Sequence, residues 1–480
     1  MEYAAGRFET DEIIYVIIRM EEDLRRKKSQ QEDFVKQRLE AVIEEAQERI
    51  DKEAAASPEI RFALDIVEQF LKRKRRVCYG GTAMNAQLPK HLQFYSPEKD
   101  LPDYDFFTPE IEKDTEELVN ELKKSGFEDV ANRVGMHEGT KKSLVNYVAV
   151  ADISEMDEGI YRIIEKRAVV LKGILYTDPD ILRMMMYLEL SRPKGEVERW
   201  SKVYDRLTLI NSAFPMKRCE KEVRKPRQIP FEIRDTIHTF CIENQRILSG
   251  ARLEKLYYTS LKKKKDVLWE TREGGAVVFY SPDPKKDALD LRQRLGFRGV
   301  DVRYFAAQGD IIPARLVLRL HGVAVALLIQ ETACHSYNTL KDAEGRVVYI
   351  ASLSTLICLY LSLAIFTRDE HDIFGFSLLC ATQRFIDVNN MYQKTKAVQQ
   401  FPPFSLDCRG YQKGYPTLLR EKVKRIAEEK AAAKIKQLLK QQGHTQTKKR
   451  NHTKPNKTVK KRRNERSNTN ESFSRDRKSV

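Results

Sequence analysis

Three features of this 480-residue chain have residue types and spacings suited to metal-assisted nucleotidyl chemistry. Gly80-Gly81 follows a short apolar run, Val77-Cys78-Tyr79, and precedes a helical pattern that starts at Thr82. Residues without side chains let a backbone approach a triphosphate closely, and N–H groups at a helix start attract anions. Asp103 and Asp105 stand at i, i+2 in an apolar strand pattern, which points both carboxylates to one face. Asp152 ends the alternating run Ser143–Ile153, where a lone buried carboxylate would be costly. Three carboxylates on adjacent strands repel one another unless cations lie between them. Two Mg²⁺ or Mn²⁺ ions roughly 3.5–4 Å apart would relieve that repulsion. One would lower the pKa of an attacking 3′-hydroxyl and the other would hold the triphosphate and its leaving pyrophosphate, giving an in-line displacement. Each piece alone has an ordinary explanation: a Gly-Gly is a turn, a D-x-D a cap (as in Asp178-Pro179-Asp180), a strand-end Asp a structural group. Their order is what adds up: strand, Gly-Gly, helix, strand with D-x-D, helix, strand with Asp.

The elements that must position these residues can be read from periodicity. Ser57-Pro58 starts a helix with Ile60, Ala63, Leu64, Val67, Phe70 and Leu71 on one stripe, ending in the basic run 72–76. Strands are expected at 77–79, 103–107, 129–136, 143–153 and 166–176, with helices over 82–92 and from 108 to 126. Asp178-Pro179 opens a helix whose methionines 184–186 read as core, and the next helix carries Arg199, Lys202 and Arg206 on one face. After a basic, Pro-containing connection at 216–235, helix is expected over 236–265, then strands and helices to Phe366 that repeat the first element order in pattern. The fold class is therefore α/β (α+β): a mixed sheet with flanking helices, its element order given twice. The divisions are a charged helical segment 1–56, a first domain 57–215, the connection 216–235, a second domain 236–425, and a charged helix with a basic tail, 426–480.

The net charge of +16 is uneven: the last forty residues hold 13 Lys and Arg against 3 Asp and Glu. A uniformly basic nucleic-acid binder is excluded; a basic tail on an ordinary body fits, and that tail lacks the apolar surface to fold alone. It is expected to lend non-specific affinity for RNA phosphates. Seven scattered cysteines, with no C-x-x-C, read as reduced thiols in an intracellular compartment. The acidic N-terminus is no signal peptide, and the apolar run 352–366 is too short to span a bilayer, so no membrane association is expected.

The stretch from Val77 to Pro109, with CYGGTAMNAQLPKHLQFYSPEKDLPDYDFFTP inside it, resembles the poly(A) polymerase catalytic subunits of large nucleocytoplasmic DNA viruses, within the DNA polymerase beta-like nucleotidyltransferase superfamily. Gly80, Gly81, Asp103, Asp105 and Asp152 match that superfamily's pattern, and the long insert before P-D-aromatic-D is similar to the viral branch. Later pieces are also similar: Leu175–Pro179, Leu190–Pro193 before Arg199-Trp200, and Pro416–Glu421. The resemblance implies two nucleotidyltransferase-like domains side by side, the second without catalytic carboxylates, and ATP-dependent addition of AMP to RNA 3′ ends. It implies Asp103, Asp105 and Asp152 as catalytic metal ligands, and Gly80, Gly81, Thr82, Arg183 and Lys202 at the nucleotide. It also implies a processivity subunit in some relatives and self-association in others, and a viral protein of the virion and host cytoplasm. The alternatives are a related transferase with another nucleotide or acceptor, a non-catalytic RNA-binding scaffold, and a metal-dependent glycosyltransferase, against which the Gly-Gly and third Asp argue.

Overall fold

The computed structural model describes residues 56–450, apart from 97–99, 103, 217–227, 263–265, 271–273, 297, 368–376 and 396–398, with scattered helical positions between 35 and 53; for 433 and 436–450 only the backbone is described. The expectations for residues 1–34, for most of the 216–235 connection and for the tail beyond 450 fall outside the described residues. The described residues up to Lys422 form one compact unit and those from Val423 another.

Helix α1 (Pro58–Lys74) forms as its sequence dictates. The Ser57 side chain caps it by accepting from Ile60 N–H, Pro58 fits the first turn, and the stripe Ile60, Ala63, Leu64, Val67, Phe70, Leu71 is buried. Arg75 ends it in the left-handed region, and the chain turns into β1 (Val77–Cys78). Next come α2 (Gly80–Gln87), β2 (Tyr104–Thr108), α3 (Ile111–Lys124), β3 (Val130–Val134), β4 (Thr140–Val145), β5 (Val148–Glu155), α4 (Glu158–Arg167), β6 (Val169–Leu171) and β7 (Ile174–Tyr176). The sheet order is β3-β4-β5-β2-β1-β7-β6. Helices α5 (Pro179–Leu190) and α6 (Trp200–Ala213) then pack together.

The second half repeats this scheme. It runs α7 (Phe231–Glu243), β8 (Ile247–Leu248), α8 (Leu253–Lys262), β9 (Val277–Ser281), α9 (Pro284–Arg294), β10 (Val300–Phe305), β11 (Arg315–Leu320), β12 (Val323–Gln330), β13 (His335–Lys341), β14 (Val347–Ala351) and α10 (Leu353–Phe366). Its sheet order, β10-β11-β12-β9-β8-β14-β13, matches the first strand for strand, with β15 (Cys408–Arg409) added at the edge. The senses agree too: β8/β9 antiparallel, β9/β12 and β8/β14 parallel, as in β1/β2, β2/β5 and β1/β7. Even the irregularity between Ser143 and Leu144 recurs at the equivalent place, between Leu318 and Arg319. The expected duplication is therefore present in topology and register. Helices α11 (Leu378–Lys394) and α12 (Tyr415–Arg450) follow.

Several local expectations need correction. The run 143–153 is two strands, because Asn146 and Tyr147 both take positive φ and close a hairpin. Asp152 accordingly lies inside β5 and does not end it. The run 166–176 is the end of α4 plus a hairpin turned by Lys172-Gly173, both at positive φ. The span 236–265 contains strand β8 between two helices. Reduced cysteines were expected, yet Cys334 and Cys408 are joined, with Cα atoms 5.1 Å apart. Pairing of β15 with β13 brings together positions 74 residues apart, which no sequence spacing announces. Cys78, Cys241 and Cys358 are free, and burial pushes each thiol up. No helix among the described residues is long and apolar enough to cross a membrane.

Candidate active site

The site sits where β1 turns into α2, beside β2 and β5. The two glycines do not precede the helix; they form its first turn. Gly80 has φ +71°, and a Cβ there would overlap the Asp105 carboxylate. A Cβ on Gly81 would come within 2.8 Å of Tyr95 Oη and 3.0 Å of an Arg206 Nη. The sequence Gly-Gly is thus required on both counts: one glycine for conformation and close approach to a carboxylate, the other for approach to a cation. Tyr79, just before the turn, stacks on Phe107 with ring centroids 4.0 Å apart, and its hydroxyl lies 2.8 Å from Ser154 Oγ, so the floor of the site is braced across three strands.

Asp105 on β2 is directly paired in register with Asp152 on β5, and Asp152 with Lys142 on β4. Side chains of register partners share a face, so the two carboxylates are neighbours across a parallel strand pair. Lys142 Nζ bonds one Asp152 oxygen, Oδ2. The other, Oδ1, is buried with no hydrogen-bond partner, as is Thr82 Oγ1 in the first turn of α2. A buried polar atom without a protein partner can be met by a water or an ion. Here two such atoms flank the Gly80 turn, and their oxygen chemistry fits a hard divalent cation. Asp103 lies outside the described residues, and among the described residues no group of three acidic, His or Cys side chains is assembled.

The long insert before Asp103 is organised rather than loose. The Asn85 side chain accepts from the N–H groups of Phe94 (2.8 Å) and Tyr95 (2.9 Å), tying the insert to α2. Tyr95 Oη in turn meets Arg206 Nη2 at 2.6 Å, and the Arg206 guanidinium lies 4.9 Å from the Phe94 ring centroid. Arg206 is therefore held against Gly81. Arg199 lies close enough to Asp105 to feel its charge. Burial opposes the Arg199 charge, but Glu189, Glu196 and Asp105 outweigh it and raise its pKa. Burial raises Glu189, against the pull of Arg199.

Of the basic residues assigned from sequence to the nucleotide, Arg183 is engaged elsewhere. It is fully buried between α5 and α6, bonded to Asn211 Oδ1 (2.7 Å), to Asp180 and to the Phe214 carbonyl, so it locks the helix pair. Lys202 is exposed on α6, one turn before Arg206. Tyr95 and Lys142, which the structure brings beside the glycine turn and Asp152, were not singled out from sequence, and Arg206 was read only as part of a basic helix face. Arg206 had a signal, its place in the Arg199, Lys202, Arg206 face; Lys142 had none, because only the β4–β5 register brings it to Asp152.

In the second sheet, register makes Val278 the equivalent of Asp105 and Leu327 the equivalent of Asp152, and Val317 replaces Lys142. The duplicate keeps the scaffold and fills the polar cleft with apolar side chains.

Residues 65–196 match the family model described as poly(A) polymerase catalytic subunit. A protein of African swine fever virus named as a poly(A) polymerase catalytic subunit is 31% identical over 200 residues, 39% of this chain and 41% of that protein. One of Acanthamoeba polyphaga mimivirus with the same name is 25% identical over 283 residues, 54% of this chain and 47% of that protein. The chain thus spans about two fifths to one half of the length of these curated relatives. In fold, it superposes on the crystal structure of the Megavirus polyadenylate synthase with a TM-score of 0.64 at 20% identity, covering 84% of this chain and 83% of that one. Over residues 65–196, which hold the glycine turn and the paired carboxylates, this chain is similar to the poly(A) polymerase catalytic subunit family.

Proposed function

We propose that the chain is a template-independent nucleotidyltransferase that adds AMP from ATP to RNA 3′ ends. The observation that carries this is the in-register pair Asp105–Asp152 beside the Gly80 turn, with Asp152 Oδ1 buried and unpartnered. In this reading Asp103, Asp105 and Asp152 hold two divalent cations, Mg²⁺ or Mn²⁺, which when bound lower the pKa of the 3′-hydroxyl and offset charge on the departing pyrophosphate. The amides at the start of α2, at Gly80, Gly81 and Thr82, face the phosphates, and Arg206, fixed by Tyr95, adds a cation on the Gly81 side. Lys202, exposed a turn away, supplies a second charge. Lys142 neutralises Asp152 before the cations load and must give up that bond. The first domain, 57–215, performs the chemistry, and the second, 236–425, serves as its structural partner. The relatives are viral, and we place this protein's work in the infected cell.

A tailing assay with a labelled RNA primer, Mg²⁺ or Mn²⁺, and each NTP separately tests the reading. ATP-dependent extension is expected. Incorporation without RNA, or of another nucleotide alone, would identify a different transferase, and no incorporation under any condition would leave an RNA-binding scaffold. Within the same assay Gly80→Ala is expected to lower kcat/KM for ATP by at least about tenfold, since a side chain at positive φ costs roughly 1–2 kcal/mol and the new methyl also displaces Asp105. Gly81→Ala should be milder, because its neighbours are the far ends of Tyr95 and Arg206. Equal effects from the two would show that the close approach of Gly80 to Asp105 does not matter.

A further inference from the structure

Between the two halves of the 1–422 unit lies a groove of about 660 Å³ that shares no residue with the carboxylate site. One wall is a face of α4 carrying Arg162, Lys166 and Arg167; the other holds Phe305, at the end of β10, and Arg315, at the start of β11. The end of α10 contributes an apolar floor. Asp157 is the single acidic residue of the lining, and its carboxylate is spent capping α4 by accepting from Ile160 N–H. Of the four cations lining the groove, Arg162 and Lys166 are exposed, Arg167 lies 3.3 Å from the Asp178 carboxylate, and Arg315 is buried against Phe305.

The aromatic group is placed among these charges. The Phe305 ring has the Arg303 guanidinium 4.7 Å and the Arg315 guanidinium 5.0 Å from its centroid. Arg162 is paired with Glu158 one turn before it, but both side chains are largely exposed, and such a surface pair is worth little. A phosphate can displace it. A row of cations over an apolar floor beside an aromatic ring suits a chain of phosphates with unpaired bases, since single-strand sites combine a basic groove with stacking surfaces. An acidic peptide would satisfy the cations and leave the ring and floor without a partner of their kind. The groove also exceeds what a single phosphate group fills.

We infer that this groove binds single-stranded RNA at a distance from the carboxylates, along the body of the substrate rather than at its 3′ end. The inference deepens the RNA-tailing reading and rests on it for the choice of RNA. It is tested on the full chain by anisotropy of a labelled 20-nucleotide single-stranded RNA between 50 and 200 mM salt, without NTP or divalent ion. The variant Arg162→Glu/Lys166→Glu changes two exposed side chains. It should keep the parent melting temperature, weaken binding by about tenfold or more, and reduce the slope of log K against log salt by about 1.4, the loss of two phosphate contacts at about 0.7 each. Phe305→Ala should weaken single-strand binding by about tenfold, as for one lost stacking contact, and leave the salt slope unchanged. Extension of a primer too short to reach the groove should be unaltered in the double variant, while KM for the long RNA rises.

Unchanged affinity and slope in the double variant would overturn the inference. So would equal loss of binding for RNA and for free ATP, which would make the groove a nucleotide site, or retention of RNA binding with loss of an acidic peptide. The binding measurement needs no catalysis. If no NTP is ever incorporated yet the double variant loses RNA affinity, the tailing reading fails and the groove stands.

Discussion

Asp105→Asn is expected to reduce ATP incorporation into an RNA 3′ end by about a thousandfold or more, while the protein keeps its melting temperature. Asn preserves the shape that Gly80 packs against but removes the charge. Stabilisation of developing charge by a bound cation amounts to several kcal/mol, and roughly 4 kcal/mol corresponds to about three decades in rate. Asp152→Asn should behave alike, with only a small stability change, because its Lys142 partner is half exposed. A second readout separates cation loss from misfolding: the parent protein should bind Mn²⁺, measured by electron paramagnetic resonance or calorimetry, and both variants should bind it more weakly. Normal tailing by the Asp105→Asn/Asp152→Asn double variant would end the enzymatic reading. Normal Mn²⁺ binding with lost activity would instead give the carboxylates a role other than cation ligation.

Much of this site is legible in the sequence because its positioning is local. The Ser57 cap, the α1 stripe and the Gly80-Gly81 turn are short-range features; the first two are found where periodicity puts them, and the third is off only in that the helix starts at Gly80 rather than Thr82. What was lost depended on strand register. Asn146-Tyr147 reads as one more pair in an alternating run, yet both residues take positive φ and reverse the chain, which is what brings Lys142 back beside Asp152. Helix α4 was hidden because its basic end, Lys166-Arg167, runs straight into the apolar strand β6. The duplication was more legible than periodicity alone suggested. Phe106-Phe107-Thr108-Pro109 and Phe279-Tyr280-Ser281-Pro282 are equivalent, and six residues after Thr108 and Ser281 stand Asp114 and Asp287.

That shared scaffold is held by a buried ion pair present in both halves, and it gives the largest expected effect on stability. Arg76 meets Asp114 with Nε to Oδ2 at 2.5 Å and Nη2 to Oδ1 at 3.2 Å, and the Thr108 hydroxyl donates to the same carboxylate at 2.5 Å. Arg246 meets Asp287 at 2.6 and 2.8 Å, and Ser281 donates at 2.6 Å. Each pair ties the residue after a left-handed helix end, Arg75 or Gln245, to the first turn of the helix that follows the second strand on, α3 after β2 and α9 after β9. Asp114→Ala leaves the buried Arg76 with only the Glu110 carboxylate, 3.2 Å away and half exposed, and should cost about 3 kcal/mol, seen in urea or thermal unfolding. Arg76→Met/Asp114→Leu should recover most of that loss, since both buried charges go, Lys74 keeps Glu117 at 2.9 Å and Glu110 is half exposed to solvent. The pH dependence has a definite sign. Burial alone would raise the Asp114 pKa, but Arg76, Thr108 and Lys74 overcome it and lower it. A depressed folded pKa contributes stability that is present above the unfolded value, near about 4, and is lost as pH falls through the folded value. The parent should therefore lose stability with acid below about pH 4 more steeply than the double variant. Asp287→Ala should lower stability by a similar amount and leave KM for ATP unchanged in the folded fraction, because its half carries no carboxylate pair at the cleft. A loss below about 1 kcal/mol for both single variants would mean that these pairs are not what holds the two sheets to their helices.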